Sequence, residues 1–291
     1  MTRKRLQQAY IGIVPLNWRY RPEEKVGFLK RLREIGFGGI QISPSQAHDE
    51  DFRAQMKLVG IESAEIYVPI RCTVDGVLAG EDEATQAIID AGKISNTQMV
   101  VFAVDGSDER DRIAGKAHIG PALTTAGYES LADHVERWAG YAATLGMNSS
   151  FHPHAATFIE TPDETRELMT RLSDRVGLCL DTGHWIVGGG DPVTAAQQYG
   201  ARVTHVHVKD VSAEVLAKMI SGEYPTMTIA VDDYKLFVPA GTGLLKLRDL
   251  FTALDESGAS GWLMSEQDTA WEPSEEKSEE SYRNMVQALE S

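Results

Sequence analysis

The feature that most constrains this chain is a rhythm. Eight short apolar runs, each followed by a longer amphipathic stretch, succeed one another through 291 residues. Strand-length runs alternating with helix-length periodic segments signal βα units and a parallel sheet. The expected strands are Ala9–Leu16, Gly39–Ser43, Ser63–Pro69, Gln98–Asp105, Ser149–His154, Val176–Asp181, Val203–Asp210 and Trp262–Gln267. The expected helices are Pro22–Ile35, Asp49–Val59, Glu81–Lys93, Thr124–Leu145, one from Thr161, one from Asp191 to Gly200, Leu244–Ser257 and Pro273–Leu289. Thr161, Pro162 and Glu164 spell a capping box with proline at the first helical position. Eight such units in a chain of this length predict an α/β fold of the (β/α)8 barrel kind. An open doubly wound sheet would want a glycine fingerprint after the first strand, and Ile13-Val14-Pro15-Leu16-Asn17-Trp18 has none. No solenoid-length repeat or low-complexity tract intervenes. One domain over residues 1–291 is expected, with an insertion at about 211–243 after the seventh strand, either a lid over the barrel or an arm to a neighbouring subunit in a homo-oligomer.

Charge and cysteine usage exclude several classes. The formal net charge is −15, and the segment from Glu272 to Glu280 alone sets five acids against Lys277. That is a poor surface for duplex nucleic acid, which is bound by neutralising phosphates. Cys72 and Cys179 are the only cysteines, far apart and without metal-type spacing, which suits a reducing, cytoplasmic setting. The stretch Met1-Thr2-Arg3-Lys4-Arg5-Leu6 is not followed by an apolar signal core, and no apolar run is long enough to span a membrane.

Strand alternation then points to a site. His152 and His154 share one face of the fifth strand; Gly177, Cys179 and Asp181 one face of the sixth; His205, His207 and Lys209 one face of the seventh; Trp262, Met264, Glu266 and Asp268 one face of the eighth. A barrel interior is filled mainly by branched apolar side chains, so charged and imidazole groups at four neighbouring strand ends need a shared partner. Imidazole and oxygen donors converging from several strands suit one divalent cation, Mn²⁺ or Co²⁺ first, with Mg²⁺ or Zn²⁺ as alternatives. The bland reading is a buried hydrogen-bond network at the barrel mouth, costly to assemble without a function.

Five segments carry a resemblance: Phe151-His152-Pro153-His154-Ala155-Ala156-Thr157, Leu180-Asp181-Thr182-Gly183-His184, Gly189-Gly190-Asp191-Pro192, His205-Val206-His207-Val208-Lys209-Asp210, and Trp262-Leu263-Met264-Ser265-Glu266-Gln267-Asp268. In this order they resemble the xylose isomerase-like TIM-barrel superfamily of sugar isomerases and epimerases, and within it the inosose dehydratases. The resemblance implies a metal held by a Glu from a middle strand, an Asp, a His and a last Glu. Asp181, His207 and Glu266 match the last three. The first Glu is replaced, so that either His152 takes its place or Glu160 swings in, with His152 the preferred ligand. His184 matches a histidine that binds a second metal or orients substrate. The inosose dehydratase pattern breaks in the first half, where Trp18 is followed by Arg19-Tyr20-Arg21 and Gln41 stands at the second strand's end. Those positions face the substrate, so a related keto-sugar or keto-polyol enters beside inosose.

The chemistry implied is a keto-polyol bound through its carbonyl and a neighbouring hydroxyl, with enediolate charge stabilised by the cation. His154 or Glu160 is expected as base, and Lys209 or His205 as donor to the departing hydroxyl. Trp18, Gln41, His184 and Trp185 are the expected substrate contacts. Expulsion of the β-hydroxyl gives a lyase, return of the proton elsewhere an isomerase or epimerase. A non-catalytic sugar-binding barrel is the third reading.

Overall fold

A computed structural model describes residues 10–16, 18, 20–268 and 273–291. The expectations that touch Met1–Leu6, Ala9, Asn17, Arg19 and Glu272 lie outside the described residues. Eight parallel strands close into a barrel: β1 (Ile11–Val14), β2 (Gly39–Ile42), β3 (Glu62–Ile70), β4 (Met99–Val104), β5 (Asn148–Phe151), β6 (Val176–Asp181), β7 (Val203–Val208) and β8 (Leu263–Glu266). Each pairs with its sequence neighbours, and β1 closes the ring on β8 with Ile11 opposite Leu263 and Val14 opposite Glu266.

Alternation along the strands sorts residues into two cores. Ile40, Ile42, Ile66, Val68, Phe102, Phe151, Leu178, Leu180, Val206 and Val208 point outward and are buried beneath the surrounding helices. Inside, Val14, Ala64, Trp262 and Met264 form one apolar cluster, and Met99, Val101 and Cys179 with Tyr67 another. The Trp262 indole fills the lower barrel because Gly39 on β2 has no Cβ; one there would meet the ring at 2.6 Å. These layers seal the barrel below and leave its upper end to polar side chains.

Three departures from the sequence reading have local causes. β5 stops at Phe151, short of His154, because Pro153 has no N–H to give the ladder; His154 instead donates its backbone N–H to Ile159 O, at 2.9 Å. The expected second helix is present as Glu50–Val59, capped by the Asp49 carboxylate, but an unexpected short helix, Pro44–His48, precedes it and ends at the extended Asp49. A helix missing from the sequence reading, Thr182–Val187, starts directly at the end of β6.

The insertion after β7 folds back on its own barrel. It carries helices Ala213–Ser221 and Met227–Asp232, and its strand residues Phe237–Val238 pair antiparallel with Asp210–Val211. Its apolar face, including Met219, Met227, Val231, Leu236 and Phe237, buries Ala155, Ala114 and Val187 from the loops above the barrel. Asp210 fixes the returning end. Its two carboxylate oxygens accept backbone N–H groups from Val211, Gly241, Gly243 and Leu245 at 2.7–2.9 Å. Among the described residues no helix is long and apolar enough to cross a membrane.

Candidate metal centre

The sequence Asp181-Thr182-Gly183-His184 shows how the local fold positions a candidate ligand. Asp181 ends β6 and caps the next helix, its Oδ1 accepting the His184 backbone N–H at 2.7 Å. Capping uses one oxygen and aims the other, Oδ2, into the barrel. Thr182 ties β6 to β7: its hydroxyl donates to Lys209 O at 2.6 Å and accepts from Lys209 N at 2.9 Å. Gly183 leaves room for the Lys209 stem, which a Cβ there would meet at 2.5 Å.

Around Asp181 Oδ2 stand His152, His207 and Glu266, with candidate donor atoms from all four residues within 4.8 Å of one another. All four are buried. The His152 Nδ1–H donates to Pro153 O at 2.8 Å, which leaves the Nε2 lone pair facing Asp181 Oδ2 at 3.8 Å. His207 Nδ1 lies 2.8 Å from Glu266 Oε2 and 3.7 Å from Asp181 Oδ2. Yet Asp181 Oδ2, His207 Nδ1 and Glu266 Oε2 all lack a hydrogen-bond partner. Three buried polar atoms with ion-pair contacts but no hydrogen bond, converging in one spot, would be costly unless a further group satisfied them together. Two imidazoles and two carboxylates are a donor set for a divalent transition metal. Burial alone would lower the basicity of His207, but Cys179, Glu65 and Glu266 beside it raise its pKa well above the ordinary value. Surroundings that favour a proton there would favour a cation as well.

Lys209 is the charge that frames this centre. Its Nζ is 3.3 Å from Asp181 Oδ2, 3.3 Å from Glu266 Oε1 and 2.9 Å from Asp268 Oδ2. It donates to His184 Nε2 at 2.8 Å and sits 4.8 Å from the centre of the Phe237 ring. Burial opposes the charge, but Asp181, Asp268 and Glu266 more than offset it and raise the ammonium pKa. Removing one member of such a buried ionic group typically costs about 3–5 kcal/mol, because the partner charges are stranded.

The expected residues do not all meet here. His154 does: its ring lies against His184, centroids 3.6 Å apart and planes tilted by 36°, and it borders a 320 Å³ cavity with Asp108, Asp111 and Asp232. His154 Nδ1–H donates to Ala155 O at 2.7 Å, leaving Nε2 as acceptor, and burial lowers its pKa, so it is neutral near pH 7. Glu160, by contrast, is neither in the ligand set nor free as a base. Its carboxylate accepts the backbone N–H of Gly115 at 2.8 Å and of Ala156 at 2.7 Å, and burial raises its pKa to about 7. It braces the loop that carries His154. His205 lies deeper in the barrel than His207 and bonds Glu65, which separates it from a departing hydroxyl at the mouth. His184 has its Nε2 taken by Lys209. Trp185 is packed in the helical layer, edge-on to Tyr199, and Trp18 donates its indole N–H to Ser278 at 2.8 Å. Gln41 is half-buried on the face of β2 opposite Ile40 and Ile42.

Two residues near the centre are not singled out by the sequence reading. Glu65 on β3 is fully buried beneath His207 and Tyr67 meets the His152 ring edge-on at 6.2 Å; Asp268, named there on the face of Glu266, holds Lys209. The signal for the first two is present: Glu65 and Tyr67 alternate with the outward Ile66 and Val68.

Comparison with known proteins agrees with this architecture. A family model described as xylose isomerase-like TIM barrel matches residues 29–289. An inosose dehydratase of Geobacillus kaustophilus (strain HTA426) is 30% identical over 277 residues, 89% of this chain and 88% of the relative. The rhizopine catabolism protein MocC of Rhizobium meliloti is 27% identical over 272 residues, 91% of this chain and 83% of the relative. Among solved structures, the probable 3-DHS dehydratase AsbF of Bacillus anthracis has a TM-score of 0.72 at 14% identity, covering 95% of this chain and 98% of that one. The apo 3-keto-D-glucoside 4-epimerase YcjR of E. coli has 0.69 at 16%, covering 97% and 98%. The IolI protein, with a bound zinc atom, has 0.67 at 15%, covering 96% of each. At these identities the structural likeness carries the fold alone.

Proposed function

The chain belongs to the xylose isomerase-like TIM-barrel family, and on that premise we propose that it is a divalent-metal-dependent dehydratase of a keto-inositol or related keto-polyol. The observation that carries the reading is the convergence of Asp181 Oδ2, His207 Nδ1 and Glu266 Oε2, buried and without a hydrogen bond, at the upper end of the barrel. His152, Asp181, His207 and Glu266 would hold the cation, Mn²⁺ or Co²⁺ by preference. When bound it supplies Lewis acidity at the substrate carbonyl, worth several kcal/mol of charge stabilisation. The substrate class is supported by relatives named inosose dehydratase, and a 320 Å³ cavity lined by His154 is near the size of a small-ligand site.

The chain's own groups divide the remaining work. His154 Nε2 accepts the proton from the carbon next to the carbonyl, since its Nδ1 is committed to Ala155 O. That proton is then available to the departing β-hydroxyl, so that one water leaves and a carbon–carbon double bond conjugated to the carbonyl remains. Lys209, held as an ammonium by three acids, stabilises negative charge developing on oxygen rather than surrendering its proton. Phe237, from the insertion, packs on His184 with ring centroids 5.3 Å apart and keeps water from that flank.

The test is a screen of 2-keto-myo-inositol and other keto-polyols with Mn²⁺ or Co²⁺, with and without EDTA. A metal-dependent, ultraviolet-absorbing enone is the expected product. Epimerisation of a ketose with no enone from any keto-polyol would replace the dehydratase with an isomerase. Ligand binding indifferent to EDTA and to Glu266→Gln would replace it with a non-catalytic barrel.

A further inference from the structure

Beneath the candidate metal centre lies a second buried layer that the proposed chemistry does not use. Glu65 Oε2 is 2.5 Å from His205 Nε2 and 2.9 Å from His207 Nε2, and all three side chains are buried. A carboxylate can only accept, so both rings must present Nε2–H to it. In His207 this choice leaves Nδ1 as the lone-pair nitrogen, the atom turned toward Asp181 Oδ2 and Glu266 Oε2.

We infer that Glu65 is a positioning residue that fixes the tautomer and ring orientation of His207 so that Nδ1 is delivered to the metal centre. The inference rests on the reading of His152, Asp181, His207 and Glu266 as the ligand set. Without an acceptor below it, the His207 ring could carry its proton on Nδ1 and offer no lone pair to a cation. The anion also makes the imidazole a stronger donor, as a carboxylate behind a metal-bound histidine commonly does. β3 supplies the acid and β7 the ring, so the arrangement links opposite parts of the barrel wall. His205 completes the layer by donating to the same oxygen, which orients the carboxylate from the other side.

A rival reading of the same atoms is that Glu65, His205 and His207 form a cation site themselves, since their donor atoms also lie within 4.8 Å of one another. The experiment separates the two. Metal-free protein is titrated with Co²⁺ against a chelating dye, and the visible bands of bound cobalt are recorded, for the wild type, Glu65→Gln and Glu65→Asp. The expected wild-type stoichiometry is one Co²⁺ per chain. Glu65→Gln should weaken Co²⁺ binding roughly 10- to 100-fold and alter the bands, because the donor character of His207 has changed. Glu65→Asp, which keeps the buried charge, should fall between the two; it serves as the variant if Glu65→Gln does not fold by circular dichroism. Affinity and bands unchanged in a folded variant would overturn the inference while leaving the metal centre intact. Two cobalt ions in the wild type and one in Glu65→Gln would overturn it in favour of the rival site. A wild type that binds no cobalt would overturn both this inference and the metal-centre reading.

Discussion

The two ends of this barrel make an instructive pair. The lower end opens into a cleft of about 640 Å³, twice the cavity beside His154, bordered by Tyr10, Gln98, Asn148, Arg175, Ser260 and Trp262. Of its polar groups, Gln98 accepts the Trp262 indole N–H at 3.2 Å and Arg175 reaches Glu136, while the buried Ser149 hydroxyl lacks a hydrogen bond. The upper end offers a smaller space, yet holds four buried acids and imidazoles whose polar atoms converge, three of those atoms without a hydrogen bond. Volume marks where a ligand would fit. Unsatisfied, desolvated polarity marks where one is needed, because each such group costs free energy until something completes it.

The comparison can be broken most directly at Asp181. Asp181→Asn keeps the helix cap, since asparagine caps as well as aspartate, but withdraws a charge from the centre. Metal content should fall and kcat/KM should drop on the order of 10²- to 10³-fold; metal analysis and steady-state rates that match the wild type would remove the upper end's claim. A smaller effect is expected at Gly183, where a methyl group would press on the Lys209 stem 2.5 Å away. Displacement of the ammonium by about 1 Å predicts a loss of roughly 10²-fold in kcat for Gly183→Ala, with Co²⁺ affinity changed far less than the rate. A loss confined to affinity would assign Lys209 to the ligand shell instead.

Glu160 gives a stability effect. Its pKa is raised in the folded protein to about 7 from an ordinary 4.5, so the folded state binds this proton more tightly than the unfolded one. The resulting stabilisation is fully present below about pH 4.5 and is lost as pH rises through about 7. Between those values the contribution to the melting temperature should decline by a few degrees, roughly, and Glu160→Gln should flatten that slope. Equal slopes in the two proteins would show that the residue titrates normally. The smallest effect belongs to the lower end. Arg175→Ala and Ser260→Ala should leave kcat/KM within about twofold, as surface changes away from a site usually do, and a tenfold loss in either would move chemistry to the floor.

Much of this is legible in the sequence, for identifiable reasons. Strand number and order follow from alternating periodicities, and His152, Asp181, His207 and Glu266 stand out because charged or imidazole side chains end apolar strands. Glu65 does not stand out because it lies mid-strand, where only closure of the barrel brings it to His205 and His207 on the opposite wall. Glu160 and Trp185 mislead for the opposite reason. Both sit close in sequence to site residues, but backbone N–H groups claim the first and helical packing the second. The helix Thr182–Val187 is hard to read because its glycine, tryptophan and β-branched residues favour helix weakly, whereas the Asp181 cap and the tertiary contacts of its buried residues favour it strongly.

Asp210 has a consequence beyond its hydrogen bonds. It gathers Val211 at the start of the insertion, and Gly241, Gly243 and Leu245 at its return, onto one carboxylate. The excursion between them is therefore a closed cassette whose two ends are stitched at a single point of the barrel rim. Lengthening such a loop costs little in chain entropy, about 0.6 kcal/mol per doubling. The stretch that covers the mouth can thus be exchanged or extended while β7 and its His207 stay in register, so a new specificity need not disturb the old chemistry.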